Sequence, residues 1–282
     1  TTVMVVGFVN SGIMTLSRAV GVIMGANIGT TVTSWILSLA GIESDSFFMQ
    51  LLKPSTFSPI LGVIGMAMIM FSKREKKKDI GNILIGFTIL MYGMETMSGA
   101  VKPLADVPEF TNILLIFSNP VLGVLAGAVL TAVIQSSSAS VGILQALCMT
   151  GAVPYSTALP IIMGQNIGTC VTAMLSAIGA KKNAKRAATI HLMFNMIGTV
   201  LFLTVFYTLN LFVHFAFLGE NAAPVGIAMI HTIFNVTVTL VLLPFNQMLV
   251  KLAYVVIPVT DDEKSKNSGK LTILDERFLE VP

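Results

Sequence analysis

Charged side chains are scarce in this 282-residue chain, since Asp, Glu, Lys and Arg together make up 11% of it. Soluble domains usually carry about 25%. The segment 110–180 has none of these residues over 71 positions, whereas one membrane-spanning helix needs about 20 apolar residues. This lack of charge excludes a soluble enzyme, a nucleic-acid-binding protein and a disordered chain. It predicts an integral membrane protein.

Cysteine and alternating polarity are also nearly absent. The two cysteines, Cys148 and Cys170, lie in apolar runs, so we expect buried thiols rather than a disulfide. No segment alternates polar and apolar residues as a membrane-spanning strand does, and small residues are frequent, as in closely packed helices. We therefore predict an all-α membrane protein with helices in the charge-poor runs 19–42, 54–72, 80–101, 110–180, 187–219 and 221–250.

One segment of the sequence occurs twice. Residues 25–33 read Gly-Ala-Asn-Ile-Gly-Thr-Thr-Val-Thr, and residues 164–172 read Gly-Gln-Asn-Ile-Gly-Thr-Cys-Val-Thr, a separation of 139 positions. Extended back to residues 20 and 159, the two copies share nine of fourteen residues. The same separation pairs Gly12 with Gly151. By the same separation, we expect the element of the first copy that matches residues 135–138 to lie before Thr1.

Basic residues indicate that the two copies run in opposite directions. The loop after the first copy holds Glu43, Asp45 and Lys53, whereas four basic residues crowd into positions 181–186 after the second. Cytoplasmic loops carry an excess of Lys and Arg, so the second loop is predicted to be cytoplasmic and the first external. Equivalent helices are then antiparallel, which is an inverted repeat. The other loops agree: 73–78 and the tail after Lys251 are predicted inside, and 102–109 (with Asp106 and Glu109) and Glu220 outside.

This topology requires residues 110 to about 153 to enter the membrane from outside and return there. Two full spans and a re-entrant hairpin both satisfy it. The second arm, 139–153, has about 15 residues, or about 22 Å of helix, whereas the hydrocarbon core is about 30 Å thick. Its length favours the hairpin.

The predicted tip of the hairpin is polar. Residues 135–140 read Gln-Ser-Ser-Ser-Ala-Ser in the middle of the uncharged segment. Unpaired polar groups in lipid cost several kcal/mol each, so these side chains must face water, a ligand or protein groups. A helix that starts here would direct free N–H groups and the positive end of its dipole at the tip, an arrangement that binds anions. The alternative is that the serines only join helices.

The repeated segments supply a second polar group. Asn27 and Thr30 in the first copy, like Asn166 and Thr169 in the second, follow the spacing Asn-x-x-Thr around a glycine. Either copy alone is typical of an interhelical hydrogen bond with a packing glycine. Their occurrence in both halves favours a binding site at the interface of the repeats.

His191 and Asn195 form a third pattern with His231 and Asn235, since each pair is separated by four residues and shares one face of a helix. No carboxylate accompanies either pair. We therefore predict hydrogen-bonded interior histidines rather than a metal site. Glu95 lies within a span, where a carboxylate is either functional or close to the external surface.

Together these motifs resemble the sodium/phosphate cotransporter family, in its bacterial branch related to the animal type II sodium-dependent phosphate transporters. The resemblance covers about residues 1–250. It rests on Gln-Ser-Ser-Ser-Ala, on both Gly-x-Asn-Ile-Gly-Thr segments, on both His-x-x-x-Asn pairs, and on Tyr92-Gly93-Met94-Glu95-Thr96-Met97-Ser98 before Val101-Lys102-Pro103-Leu104.

The resemblance implies an inverted-repeat secondary transporter in which re-entrant hairpins meet at the centre of the membrane. It implies a phosphate site formed by Gln135, Ser136, Ser137, Ser138, Asn27, Thr30, Asn166 and Thr169. It implies sodium ligands among Gln135, Ser137, Asn27, Thr31, Asn166 and Thr172. Residues 1–101 would be the first repeat and 102–258 the second. Residues 259–282 would be a cytoplasmic tail, whose end resembles the start of a PhoU-like domain.

The expected function is sodium-coupled phosphate transport by alternating access in the cell membrane. Sodium is the co-transported ion, and we expect no organic cofactor, no metal centre and no nucleic-acid partner; a homodimer is left open. The alternatives are a transporter or exporter of another small oxyanion such as sulfate, an intramembrane serine hydrolase using Ser136–Ser138 with His191 or His231, and a purely structural membrane subunit. The hydrolase lacks a Gly-x-Ser-x-Gly segment.

Overall fold

The computed structural model describes residues 1–41, 54–103 and 107–259, and within these ranges the chain is built from helices joined by short connections. The helices are α1 Thr2–Ser11, α2 Leu16–Ser38, α3 Pro54–Phe71, α4 Glu75–Val101, α5 Pro108–Ile116, α6 Pro120–Ile134, α7 Ser137–Cys148, α8 Tyr155–Gly168, α9 Cys170–Ser176, α10 Lys182–Val213, α11 Pro224–Leu242 and α12 Asn246–Val256. Glu43, Asp45, Lys53, Asp106 and the tail beyond residue 259 lie outside the described residues.

Five helical segments are long and apolar enough to cross a membrane. They are Leu16–Gly41, Glu75–Val101, Tyr155–Ser176, Lys182–Val213 and Pro224–Val256. Large apolar side chains such as Val200, Leu211 and Phe212 are exposed on the outside of the bundle, as expected for a surface that faces lipid. The prediction of an all-α, multi-pass membrane protein is confirmed. Cys148 and Cys170 are buried and free, as expected.

The predicted hairpin consists of two helices that are shorter than a membrane span. Helix α6 has 15 residues and α7 has 12, which correspond to about 22 and 18 Å. Neither reaches the about 20 residues that a span requires. The lengths therefore favour the re-entrant hairpin over two full spans.

The two copies of the repeated segment end at opposite ends of the bundle. Helices α10 and α11 are antiparallel, because Gly198 lies against Val238 while Phe202 packs on Phe234. Gly41, just after α2, lies against Pro224 at the start of α11. The end of α9, in contrast, is joined by the short connection 177–181 to Lys182 at the start of α10. The ends of α2 and α9 are thus separated by the length of the α10–α11 pair.

The end of α12 lies beside the start of α10. Arg186 is 1% exposed, donates from Nε to the Ile257 carbonyl at 2.9 Å, and stacks its guanidinium 4.2 Å from the ring centroid of Tyr254. This contact places the start of the tail on the same side as the basic residues 181–186, which agrees with the predicted topology.

Glycines allow α6 and α8 to pack backbone against backbone. A methyl group at Gly164 would overlap the Val124 carbonyl of α6, and one at Gly127 would overlap the Ile161 carbonyl of α8. Gly25 and Gly29, which are the counterparts of Gly164 and Gly168 in the first copy, have no described neighbour within 4 Å of such a group. The close contact therefore orients the second copy and its hairpin, while the matching face of α2 is open in the described part of the chain.

Gly164→Ala is expected to destabilise the protein, because the added methyl group forces α6 and α8 apart. Overpacking of this kind costs about 1–3 kcal/mol. The matched control is Gly86→Ala in α4, where nothing lies within 4 Å and alanine gains up to about 1 kcal/mol in helix propensity. Thermal unfolding of the full-length protein in detergent measures both; equal midpoints for the two variants would contradict the tight α6–α8 contact.

Candidate functional site

A cavity of about 220 Å³ lies inside the bundle, between the two copies of the repeat. Residues from α1 and α2 line one side, and residues from the hairpin, α8, α9, α10 and α11 line the rest. Seven of the residues predicted from the sequence line it: Asn27, Thr30, Gln135, Ser137, Asn166, Thr169 and Thr172. Residues separated by more than a hundred positions in the sequence are thus brought to one site.

Three predicted residues do not line this cavity. Ser136 accepts a hydrogen bond from the Ala139 N–H at 3.2 Å and so caps α7. Thr31 is buried and donates to the Ile28 carbonyl at 2.7 Å. Ser138 is half-buried in the first turn of α7. Their proposed contacts with phosphate or sodium remain predictions.

The hairpin is broken at its polar tip. Gln135 ends α6 in the left-handed conformation, with φ 57°, and Ser136 is extended before α7 begins. Residues other than glycine adopt a positive φ infrequently, and such conformations are common at binding sites. The break directs Gln135 and Ser137 to the cavity and confirms the prediction that a helix starts at the serines.

Helix α7 begins at the cavity. Ser137, in its first turn, lines the cavity together with Thr1 and with Thr2 and Val3 of α1. The first N–H groups of a helix have no partner within the helix, and a helix start carries about half a positive charge. Thr1, Thr2 and Val3 were not assigned from the sequence, although the 139-residue separation pairs Thr1 with Ser140 of α7.

The two Asn-x-x-Thr segments have the same local geometry. Asn27 Nδ2 donates to the Ile23 carbonyl and Asn166 Nδ2 to the Ile162 carbonyl, both at 2.9 Å. Thr30 Oγ1 donates to the Asn27 carbonyl at 2.8 Å, and Thr169 Oγ1 to the Asn166 carbonyl at 2.6 Å. Because these hydroxyl protons are engaged with backbone carbonyls, the threonine oxygens offer lone pairs to the cavity.

Gln165, which the sequence analysis did not assign, joins the cavity to the hairpin. Its Nε2 donates to the Ser140 carbonyl at 2.9 Å, and Ser140 Oγ accepts from Thr131 Oγ1 at 2.7 Å. The Gln165 Oε1 atom is buried and has no hydrogen-bond partner within the described residues. Gln165 therefore fixes the start of α7 and contributes an acceptor to the cavity wall.

Both histidine pairs are buried, and both histidines line the cavity. Asn195 Nδ2 donates to the His191 carbonyl at 3.0 Å, and Asn235 Nδ2 to the His231 carbonyl at 2.8 Å. Nδ1 of each imidazole has no hydrogen-bond partner in the described part of the chain. The rings are interior, as predicted, but no hydrogen-bond partner of Nδ1 lies among the described residues. His191 and His231 are, like Gln165, cavity residues that the sequence analysis did not assign to the site.

Among the described residues, no Lys, Arg, Asp or Glu side chain lines the cavity. Glu95 is exposed on α4, away from the cavity. The described residues contain no cluster of three His, Cys, Asp or Glu side chains that could hold a metal ion. The lining side chains are neutral polar groups next to the start of α7, which can hold small ions.

The fold and the cavity define a multi-pass membrane protein with a polar interior site, and the sequence comparisons identify its family. Residues 1–99 and 89–220 match the Na+/Pi-cotransporter family. The matches span most of the chain, which therefore belongs to this family of phosphate transporters. The resemblance deduced from the motifs is confirmed. Because the family is not enzymatic, the serine hydrolase alternative is not supported.

The relatives are bacterial and animal proteins. The chain is 29% identical over 260 residues to "Uncharacterized protein YqeW" of Bacillus subtilis (strain 168), which covers 91% of this chain and 78% of YqeW. It is 26% identical over 287 residues to "Putative inorganic phosphate export protein YjbB" of Escherichia coli (strain K12), with 100% of this chain and 49% of YjbB covered.

A shorter match, 40% identical over 94 residues, links the chain to "Sodium-dependent phosphate transport protein 2A" of Rattus norvegicus and covers 31% of this chain and 15% of that protein. The chain thus spans about half the length of YjbB. No solved structure matches it.

Ser137→Cys is expected to react with a small water-soluble thiol reagent, because Ser137 lines the cavity. Ser34→Cys is the matched control, since Ser34 is 1% exposed and lies outside the cavity wall. Mass spectrometry of the labelled full-length protein counts the adducts, and the buried native thiols serve as the unreactive reference. Equal labelling at positions 137 and 34 would contradict an accessible cavity at the hairpin tip.

Proposed function

We propose that this protein transports inorganic phosphate together with sodium, by alternating access at the central cavity. The observation that carries the proposal is the composition of the cavity wall. It combines the start of α7 with two Asn-x-x-Thr segments of the same geometry, and no Lys, Arg, Asp or Glu side chain of the described residues lines it. Membership of the phosphate transporter family supports the same conclusion.

Charge balance couples the two solutes. Phosphate at neutral pH carries more than one negative charge, and an isolated ion is costly to bury. The start of α7 supplies about half a positive charge, which does not neutralise it. No cationic side chain in the described cavity wall supplies the rest. Bound sodium therefore provides the missing charge, so that anion and cation bind together.

The oxygens of the repeated segments are suited to sodium. Thr30 and Thr169 have committed their hydroxyl protons to backbone carbonyls, and hard cations prefer oxygen lone pairs of carbonyl and hydroxyl groups. The amide oxygens of Asn27 and Asn166, and Thr172, offer further lone pairs at the cavity. We assign these groups chiefly to sodium.

The hairpin tip and the start of α7 are suited to phosphate. Phosphate oxygens need hydrogen-bond donors, and the first turn of α7 presents N–H groups at the cavity. Gln135 and Ser137 add side-chain donors from the tip. Phosphate would thus lie at the start of α7, with sodium next to the repeated segments.

An inverted repeat accounts for alternating access. We propose that residues 1–101 and 102–258 are its two halves, supported by the opposite ends reached by α2 and α9. Contacts such as Gln145 Nε2 to the Ser34 carbonyl at 3.0 Å and Trp35 Nε1 to Thr232 Oγ1 at 3.0 Å join the halves. Rocking of the two halves about the cavity would change the donor–acceptor distances of these hydrogen bonds.

A homodimer and a PhoU-like extension of the tail remain predictions.

Export of phosphate through the same site is the second candidate, because the YjbB match covers the whole chain. The proposed site chemistry is the same for either direction. The gradients of sodium and phosphate decide which way a reversible carrier runs.

Labelled phosphate uptake into liposomes that contain the full-length protein tests the proposal. We expect uptake to require an inward sodium gradient and to be lost in Ser137→Ala. Asn27→Ala and Asn166→Ala should each raise the half-saturating sodium concentration about tenfold or more, as loss of a contact to a charged group costs about 1.5–3 kcal/mol.

Asn82→Ala is the control for this experiment, because Asn82 is an exposed amide on α4 outside the cavity wall. It should transport like the unmodified protein. Counterflow from phosphate-loaded liposomes measures the outward direction. Phosphate flux that is independent of sodium in both directions would refute the proposed coupling.

A further inference from the structure

Two imidazole rings face the central cavity from different helices. His191 on α10 is 4% exposed and His231 on α11 is 3% exposed, and both line the cavity. The Nδ1 atom of each ring lacks a hydrogen-bond partner within the described residues. These Nδ1 atoms are shielded from solvent, so a ligand in the cavity meets each ring at its cavity-facing edge, where a neutral imidazole presents either an N–H or a lone pair.

Sodium is a poor partner for these nitrogens. Hard cations select oxygen ligands, and the threonine oxygens of the same cavity are free to accept such a cation. The described residues contain no His, Cys, Asp or Glu cluster that could bind a different metal. The remaining solute of the proposed transport reaction is the anion.

Hydrogen phosphate matches what two neutral imidazoles offer. Each ring presents either an N–H donor or a lone-pair acceptor on its cavity side. Hydrogen phosphate has oxygens that accept from an N–H and a P–OH group that donates to a lone pair. Sulfate at neutral pH has acceptor oxygens but no hydroxyl, so it cannot pair with a ring that presents its lone pair.

We propose that His191 and His231 bind the transported anion directly and select hydrogen phosphate over sulfate. The inference rests on the proposed function, because it assigns further residues to the same cavity. A site built to pair with a substrate hydroxyl rejects analogues that lack it far more strongly than a site of matching shape alone. The two histidines therefore act as specificity residues for a protonated tetrahedral oxyanion.

Equilibrium binding of radiolabelled inorganic phosphate to the purified full-length protein, in the presence of sodium, tests the inference. His191→Phe and His231→Phe retain a ring but remove its polar atoms, and each is expected to raise the Kd for phosphate about tenfold or more. His191→Gln and His231→Gln, which keep a donor and an acceptor, should recover part of the affinity. Sulfate should compete weakly with the unmodified protein and relatively better with the Phe variants.

The third histidine provides the matched control. His214 is exposed at the end of α10, outside the cavity wall, so His214→Phe should bind phosphate like the unmodified protein. Thermal unfolding with and without sodium shows whether each variant is folded and still binds the cation.

The outcomes separate the inference from the function on which it rests. If the unmodified protein binds no phosphate, the proposed function fails. If it binds phosphate and both Phe variants bind equally well, the histidine assignment is overturned and the function stands. If the Phe variants lose the sodium-dependent stabilisation together with phosphate binding, the rings have a structural role and the assignment is again overturned. Retained sodium stabilisation with weakened phosphate binding supports it.

Discussion

An ion in the membrane interior must be neutralised by its surroundings, and the described cavity wall has no charged side chain with which to do so. A fixed arginine would hold phosphate tightly in every conformation. The start of α7 and neutral oxygens instead provide partial charges that are sufficient only when anion and cation are present together. On the proposed function, this deficit makes coupling a property of the site itself, since neither ion alone leaves the cavity close to neutral.

The packing of the helices determines where those partial charges point. Glycines bring α6 and α8 into backbone contact, and the chain of hydrogen bonds from Thr131 through Ser140 to Gln165 fixes α7 against both. The start of α7 is therefore held in place although the helix is only 12 residues long. Backbone contact and buried side-chain hydrogen bonds hold this short helix in position, a role that a long hydrophobic span has elsewhere in the bundle.

Much of this arrangement could be predicted from the sequence, because its causes are local. The absence of charge indicated the helices, the serine run indicated the start of α7, and the repetition of Asn-x-x-Thr indicated residues that line the cavity. The roles of Gln165, His191 and His231 could not be predicted in the same way. Whether a buried nitrogen or amide oxygen has a partner depends on which helices surround it, and a pattern of i and i+4 residues looks the same for a packed core and for a cavity wall.

The unpaired acceptors extend beyond the cavity along both helices that carry the histidines. Asn195 and Thr199 on α10, like Asn235 and Thr239 on α11, each have a buried oxygen without a partner among the described residues. Successive members lie one turn apart, about 6 Å along each helix. Buried polar groups are normally paired, often with ordered water. Two polar columns therefore continue from the cavity wall along α10 and α11, and ordered water is the partner that their unpaired oxygens would require.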